Sequence, residues 1–311
     1  MKAVLPALAR PILEPKLPVG VDVAWFTDHE TALAEVVDAD IAWVDMQQPH
    51  WTGKAVSAGS RLKWVSTIYA GLDHFPLAQL KAQGTILTNG VGINAIAVAE
   101  YAVMGVLVAA KRFDEVVRLA DKHEWTIAAP GQTELSETRA LIIGMGAIGR
   151  LIGDRLTAFG VAVTGVTRSG RDGTLRPDQW RVKIGDYDWV ILAAPSTSQT
   201  KAMLGADDLA AMKPSAWLIN IARGDMVDQD ALIDALNKRR IAGAFLDVVT
   251  PEPLPPEHPL WSTPNAIHTM HLSGRSQTKM FQRATALFVK NLAAFMSGQP
   301  MTNVVDLDAG Y

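Results

Sequence analysis

The chain has 311 residues, with 29 Lys and Arg against 32 Asp and Glu, a formal charge of −3 at neutral pH. Apolar residues make up 49% and charged residues 20%, a globular balance that excludes disordered, collagen-like and fibrous classes. No cysteine occurs, so disulfides, thiolate nucleophiles and Cys-ligated zinc are ruled out. Single cores stop growing at about 250–300 residues, which favours two domains. The near-neutral charge speaks against nucleic acid as an obligatory partner.

Met1–Pro15 is interrupted by Pro6, Arg10 and Pro11, so no secretory leader is expected, and a cytoplasmic location fits the lack of cysteine. Short buried strands are predicted at Ile41–Val44, Lys63–Ile68 and Thr85–Thr88. The loops Gln47–Thr52 and Tyr69–Phe75 are expected to set the size of a pocket. From Asn94 to about Leu119 a single long helix is predicted, because no Pro interrupts it. Its first half is apolar almost all round, which implies burial on several sides, a bridging position between two lobes and a two-fold subunit interface. The apolar stretch Ala95–Ala110 contains Glu100 and is too short to span a membrane. His74 and His123 are read as structural or surface residues.

Residues 139–149 read Arg-Ala-Leu-Ile-Ile-Gly-Met-Gly-Ala-Ile-Gly. Gly144, Gly146 and Gly149 form G-x-G-x-x-G, a weak signal alone. Here a buried strand precedes the loop, a helix Ala147–Phe159 follows, and a second strand Val161–Val166 completes a βαβ unit. Gly144 permits the tight turn, Gly146 admits a pyrophosphate to the backbone, and Gly149 lets helix and strand pack closely. Met145, Ala147 and Ile148 complete this cofactor loop. A glycine-rich turn without ligand is the bland alternative.

After Val166 come Thr167-Arg168-Ser169-Gly170-Arg171, with no carboxylate until Asp172. NAD-preferring sites usually place Asp or Glu at this strand end to accept from the ribose 2′-hydroxyl. Its absence, and the presence of Thr167, Arg168 and Ser169, predict NADP(H) over NAD(H). A basic turn facing solvent is the alternative.

Further strands are predicted at Trp189–Ala193, Ala216–Ile221 and Ala242–Val248, with a helix at Gln229–Arg239 between the last two. Non-alternating apolar strands that alternate with helices imply parallel sheets covered on both faces, an α/β fold. Arg223, Glu252 and His271 each follow a predicted strand. Ligands of open α/β sheets bind beyond the carboxyl ends of strands, so all three stand on the rim that faces the glycine loop. Arginine's planar fork suits a carboxylate, and histidine is the usual acid–base group near neutral pH. A carboxylate paired with histidine orients the ring and favours its protonated form. Together they suit reduction of a 2-keto acid. Singly, each has a bland explanation: Arg223 paired with Asp225 or Asp228, Glu252 a solvated charge between prolines, His271 a core histidine with His268 as rival. No metal is expected, since neither Cys clusters nor His-x-x-x-His spacing occurs. A last helix is predicted over Thr278–Phe295, stopped by Gly298 and Pro300.

The sequence resembles the D-isomer-specific 2-hydroxyacid dehydrogenases from about Trp64 to Phe295. The resemblance rests on the glycine loop, Asn220–Asp225, Asp247–Pro253, His271–Gly274, Tyr69–His74 and Asn89–Glu100. The segments Glu252–Pro256 and Pro259–Trp261 are most similar to the glyoxylate/hydroxypyruvate reductase branch. The resemblance implies a Rossmann-type doubly wound nucleotide domain, 94–277, inserted in a smaller flavodoxin-like substrate domain, 1–93 and 278–311. It implies that Arg223 binds the substrate carboxylate and polarises the keto oxygen, that His271 donates the proton, and that Glu252 supports His271. Backbone amides of Ala70 and Gly71 would hold the carboxylate as an anion nest. Asp247 and the Ala222 carbonyl would meet the nicotinamide carboxamide, and Pro195 would lie beside the adenosine. The implied protein is a homodimeric oxidoreductase for a short 2-keto acid. Corepressor relatives that sense nucleotide on the same scaffold supply the alternative. Most relatives carry Pro before the histidine where this chain has Met270, which loosens the backbone at Thr269.

Overall fold

The computed structural model describes residues 1–46, 49–275 and 277–310. The chain divides into two compact units, Met1–Asn94 with Gln277–Tyr311, and Ala95–Ser276.

In chain order the first unit forms β1 (Lys2–Pro6), α1 (Arg10–Leu13), β2 (Asp22–Phe26), α2 (His29–Val36), β3 (Ile41–Ala42), α3 (Pro49–Ala58), β4 (Trp64–Ser66), α4 (Leu77–Gln83) and β5 (Ile86–Thr88). The strands pair in parallel in the order β2-β1-β3-β4-β5, the flavodoxin-like arrangement. One face of the sheet is covered by Ala32, Val36, Val56 and Leu80 from α2, α3 and α4. The other face packs Trp43 and Trp64 against Phe288 and Leu292 of the C-terminal helix. Trp64 stacks on Phe288 with ring centres 4.9 Å apart, and its indole N–H donates to the Thr88 hydroxyl at 2.9 Å. That bond satisfies a polar group that burial would otherwise leave unpaired. Of the two loops expected to size a pocket, Gln47 and Gln48 lie outside the described residues. Pro49–Thr52 is not loop but the start of α3.

The second unit runs through α5 (Ala95–Lys111), α6 (Phe113–Asp121), β6 (Arg139–Ile143), α7 (Ala147–Ala158), β7 (Ala162–Val166), β8 (Trp189–Leu192), α8 (Ala206–Ala211), β9 (Trp217–Asn220), α9 (Gln229–Asn237), β10 (Gly243–Leu246) and β11 (Ala266–His268). α10 (Met280–Ser297) then completes the first unit. The second sheet is also parallel, in the order β11-β10-β9-β8-β6-β7. From β6 the chain moves outward to β7 and then crosses to the other side of β6 to form β8. This reversal makes a topological switch point between β6 and β8, where open α/β sheets bind ligands. Leu141, Val190 and Leu218 face one buried cluster, and Ile142, Ile191 and Ile219 face another. Burial on both faces explains the unbroken apolar runs of these strands.

The long helix expected over Asn94–Leu119 is two helices. Arg112 adopts a left-handed backbone, φ +46°, and ends α5 before α6 begins. Its side chain explains the break: the guanidinium bonds Asn265 at 2.9 Å and Glu115 at 2.5 Å, and lies 5.5 Å from the centre of the Trp217 ring. These contacts, two of them to residues far along the chain, override local helix propensity. α5 buries Ala99, Ala102, Val106 and Ala109 against the sheet, whereas α6 buries none of its residues. Among the described residues, no helix is long and apolar enough to cross a membrane.

Candidate active site

The glycine loop follows β6 at the switch point. Gly144 has φ +105°, and a Cβ there would strike the backbone of Ala193 and Ala194. A Cβ on Gly149 would strike the Gly144 carbonyl, so the first turn of α7 packs directly on the end of β6. Gly146 caps α7 without a side-chain bond, a Cβ there would meet nothing within 4 Å, and the first turn holds no acidic residue. The open face therefore presents helix N–H groups and the positive dipole end, which suits a phosphate group. Met145 carries its carbonyl to Arg150 Nε at 3.0 Å, and Ala147 and Ile148 form the first turn.

Beyond β7 the chain folds back on itself. Thr167 N donates to Leu175 O at 2.9 Å, and the Thr167 hydroxyl pairs with Thr174 Oγ1 at 2.7 Å and accepts from Gly170 N at 3.0 Å. Arg168 and Ser169 are exposed at the tip. Past β8, Pro195 is exposed, and Ser196 Oγ donates to Asp225 Oδ2 at 2.9 Å.

β9, β10 and β11 end in step, with Asn220 beside Leu246 and Leu246 beside His268. Arg223, Glu252 and His271 stand beyond these three neighbouring ends. Buried Asn220 shapes the first turn: its Nδ2 donates to Arg223 O at 2.9 Å, and its Oδ1 accepts from Ala222 N at 3.1 Å. Arg223 Nη1 donates to Ala222 O at 2.8 Å. Of the acids near it in sequence, Asp225 accepts from Ser196 Oγ at 2.9 Å and Asp228 caps α9 through Ala231 N at 3.0 Å.

His271 Nδ1 donates to Glu252 Oε2 at 2.6 Å, and Glu252 Oε1 accepts from Val249 N at 3.1 Å. Burial alone would raise the Glu252 carboxyl. The hydrogen bond and charge of His271, the Val249 amide and the nearby Arg223 charge outweigh it and hold the carboxyl below the usual glutamate range. The three residues thus share one electrostatic neighbourhood. The rival, His268, is half-buried, bonds Leu260 O through Nε2 at 3.0 Å and meets the Trp261 ring edge-on. Burial pushes its pKa below the ordinary histidine value, which marks a neutral structural ring. His74 and His123 are exposed.

Asp247, 2% exposed, carries the histidine turn. Its Oδ1 accepts from the Thr269 hydroxyl at 2.6 Å, Leu272 N at 3.0 Å and Ser273 N at 3.2 Å, and its backbone carbonyl accepts from His271 N at 2.6 Å. Met270 and His271 both have left-handed backbones, φ +49° and +56°. Proline, fixed near −65°, could not adopt this conformation at 270, so the turn as it stands requires a residue such as Met270 there. Asp247 Oδ2 is buried and has no hydrogen-bond partner among the described residues. An orphaned buried acceptor beside the His271 turn fits a carboxamide donor, as the Gly146 face fits a phosphate. The positioning functions of Asn220 and Asp247 escaped residue-by-residue reading. Their signal is a lone polar side chain closing or directly following an apolar strand.

Ala70 and Gly71 belong to the first unit, just past β4. Tyr69 O accepts from Gly90 N at 2.9 Å, while the amides of Ala70 and Gly71 donate to no protein atom among the described residues. Also among the described residues, no group of three or more His, Asp or Glu is placed to hold a metal.

The model of the D-isomer specific 2-hydroxyacid dehydrogenase NAD-binding domain matches residues 103–273. The glyoxylate/hydroxypyruvate reductase B of Pectobacterium atrosepticum is 33% identical over 256 residues, 79% of this chain and 79% of its own length. Among solved structures, a D-isomer specific 2-hydroxyacid dehydrogenase family protein of Aeromonas salmonicida is similar with a TM-score of 0.87 at 27% identity, covering 99% of both chains. An NADPH-dependent glyoxylate/hydroxypyruvate reductase of Sinorhizobium meliloti, in complex with NADP and malonate, has a TM-score of 0.80 at 26% identity, covering 99% of this chain and 97% of its own.

Proposed function

The chain belongs to the D-isomer-specific 2-hydroxyacid dehydrogenase family, and on that footing we propose that it reduces glyoxylate, hydroxypyruvate or a similar short 2-keto acid with NADPH. The observation that carries the reading is the 2.6 Å pair of His271 Nδ1 with Glu252 Oε2, set beside Arg223 at three aligned strand ends. The cofactor supplies the hydride. Gly144–Gly149 would hold its pyrophosphate, Thr167, Arg168 and Ser169 its ribose phosphate, Pro195 its adenosine, and Asp247 and the Ala222 carbonyl its carboxamide.

The protein's own residues do the rest. The Arg223 fork binds the substrate carboxylate and draws electron density onto the keto oxygen. Amides of Ala70 and Gly71 share the carboxylate. His271 Nε2 delivers the proton to the keto oxygen that completes the alcohol. Glu252 fixes the ring through Nδ1 and opposes the positive charge that the ring carries before transfer.

We also assign a cytoplasmic homodimer. α6 presents Phe113, 55% exposed, and Val117, 42% exposed, beside a groove of about 400 Å³ lined by Met104, Leu107 and Phe113 together with the charged Glu100, Lys111 and Arg155. A contiguous apolar face on a helix that buries nothing suits a two-fold partner. The test of function is cofactor oxidation, followed by absorbance, against a panel of short 2-keto acids. Turnover with glyoxylate or hydroxypyruvate is expected, and no turnover with any member overturns the reading.

A further inference from the structure

β3 ends in Ala42, and three residues on, Asp45 is set against the end of the first sheet. No Lys or Arg pairs with it among the described residues. Burial pushes its carboxyl up to about 6, against the pull of three hydrogen bonds. Asp45 is only partly buried, yet three donors converge on its carboxylate, which points to a structural use.

Its donors point to that use. Oδ1 accepts from the Thr67 hydroxyl at 2.6 Å, and Oδ2 accepts from Ile68 N at 2.6 Å and from the Trp43 indole at 2.9 Å. The Thr67 oxygen in turn accepts from Tyr69 N at 3.1 Å. Thr67 N donates to Thr88 O at 3.0 Å. The amides of residues 67, 68 and 69 are therefore all consumed inside the unit, two of them by Asp45 directly or through Thr67. The next two, Ala70 and Gly71, are left as the pair with no protein acceptor among the described residues. Trp43, buried and stacked near Phe288, fixes the carboxylate from the core side.

We propose that Asp45 is a positioning residue that holds the 67–69 turn so that the amides of Ala70 and Gly71 face the substrate carboxylate. The assignment rests on the keto-acid reading for its substrate, but the holding itself does not. Asp45 touches no reacting atom. It sets the geometry of the Ala70 and Gly71 amide pair, and its loss weakens binding of the anion rather than the chemical step.

The test compares the parent with Asp45→Asn and Thr67→Val. Asp45→Asn keeps the shape but turns one acceptor into a donor, and Thr67→Val removes a single link. The expected result for Asp45→Asn is a rise of about tenfold in KM for the keto acid and in Ki for oxamate, about 1.4 kcal/mol. kcat and the NADPH dissociation constant should stay within about threefold. Thr67→Val should move KM and Ki in the same direction by less. A purely structural side chain would lower the melting temperature and leave KM and Ki alone, and that outcome in both variants overturns the proposal while the keto-acid reading stands. If Asp45→Asn does not fold, Thr67→Val decides alone. Should the parent reduce no keto acid, hydrogen exchange of residues 67–71 still decides the holding. Exchange faster by about tenfold in a variant supports it, and unchanged exchange overturns it.

Discussion

Glu252 Oε2 accepts from His271 Nδ1 across 2.6 Å, so the ring's other nitrogen, Nε2, is the one left without a hydrogen bond among the described residues. The pairing fixes which face of the imidazole can serve a substrate. It also makes a pH prediction. The Glu252 carboxyl is held low by this bond, and Glu252→Gln removes its charge while keeping an acceptor. An acid fall of the reductive rate that follows the Glu252 carboxyl is therefore expected in the parent and absent from the variant. On the acid side, the carboxyl is held below its ordinary value of 4.5, so the pair persists above that value and is lost as pH falls through the lowered one. An identical rate profile in parent and variant would show Glu252 to be a loop charge.

Arg223 and His271 stand beyond β9 and β11, outside the glycine loop, so replacing either should spare cofactor binding. His271→Ala is expected to lose about 10²–10⁴-fold in turnover, the usual worth of a general acid. Arg223→Ala should lose as much or more, together with keto-acid affinity. His268→Ala is the contrast. It removes the bond to Leu260 O and the contact with Trp261, so it should lower the melting temperature and leave most turnover intact. Near-parental glyoxylate reduction by His271→Ala would remove it from the mechanism.

His268 supplies a separate check on stability. Its folded-state pKa lies below the ordinary 6.5, so the unfolded chain takes up that proton first. The contribution is fully present above 6.5 and is lost as pH falls through the lowered value. The parent should therefore lose melting temperature below about pH 6.5 more steeply than His268→Ala, measured at matched ionic strength.

What was legible in the sequence followed apolar run length more than position: the edge strands β5 and β7 were expected, whereas buried, central β1, which ends in Pro6, was not. Strands of the second sheet's interior, such as β8 and β9, are covered on both faces and show as unbroken apolar runs. β2 and β11 close the two sheets at their edges, are only partly buried, and carry no such signal. The break at Arg112 was hidden for another reason: its contacts, Asn265 and Trp217, are more than a hundred residues away in sequence. The site divides in the same way. The glycine loop and the Arg223, Glu252 and His271 set announce themselves by type and by position after strands. Asn220 bonds the backbone just after it, and Asp247 and Asp45 bond that of distant segments, and a lone polar residue at a strand end does not reveal which turn it will hold.

α6 makes the assembly testable. Its apolar face is exposed in a single chain of 33.5 kDa, so light scattering should report twice that mass at micromolar concentration. Val117→Asp places an unpaired charge on that face and should shift the parent towards the monomer. A parent that stays monomeric would mean that this face does not join two copies.

The last prediction concerns the turn beyond β7. That strand ends at Val166, and the residues at its tip are Thr167, Arg168 and Ser169. The first carboxylate, Asp172, comes only after the turn has begun to fold back towards Leu175. An acidic side chain at the strand end would repel a 2′-phosphate, and here the position is held by Thr167, whose hydroxyl is engaged with Gly170 N and Thr174. That internal bracing shapes the turn, at whose tip Arg168 and Ser169 are exposed. A charge-assisted hydrogen bond contributes about 1.5–3 kcal/mol. Arg168→Ala should therefore weaken NADPH by about 10- to 150-fold, at about 1.4 kcal/mol per decade, and leave NADH nearly unchanged. The measurement is the ratio of kcat/KM for NADPH and NADH in parent and variant, at fixed ionic strength because a surface contact is screened by salt. A parent that prefers NADH, or an Arg168→Ala enzyme with an undiminished preference for NADPH, would show that this turn does not select the cofactor. In the second case Arg171, on the far side of Gly170, becomes the residue to replace.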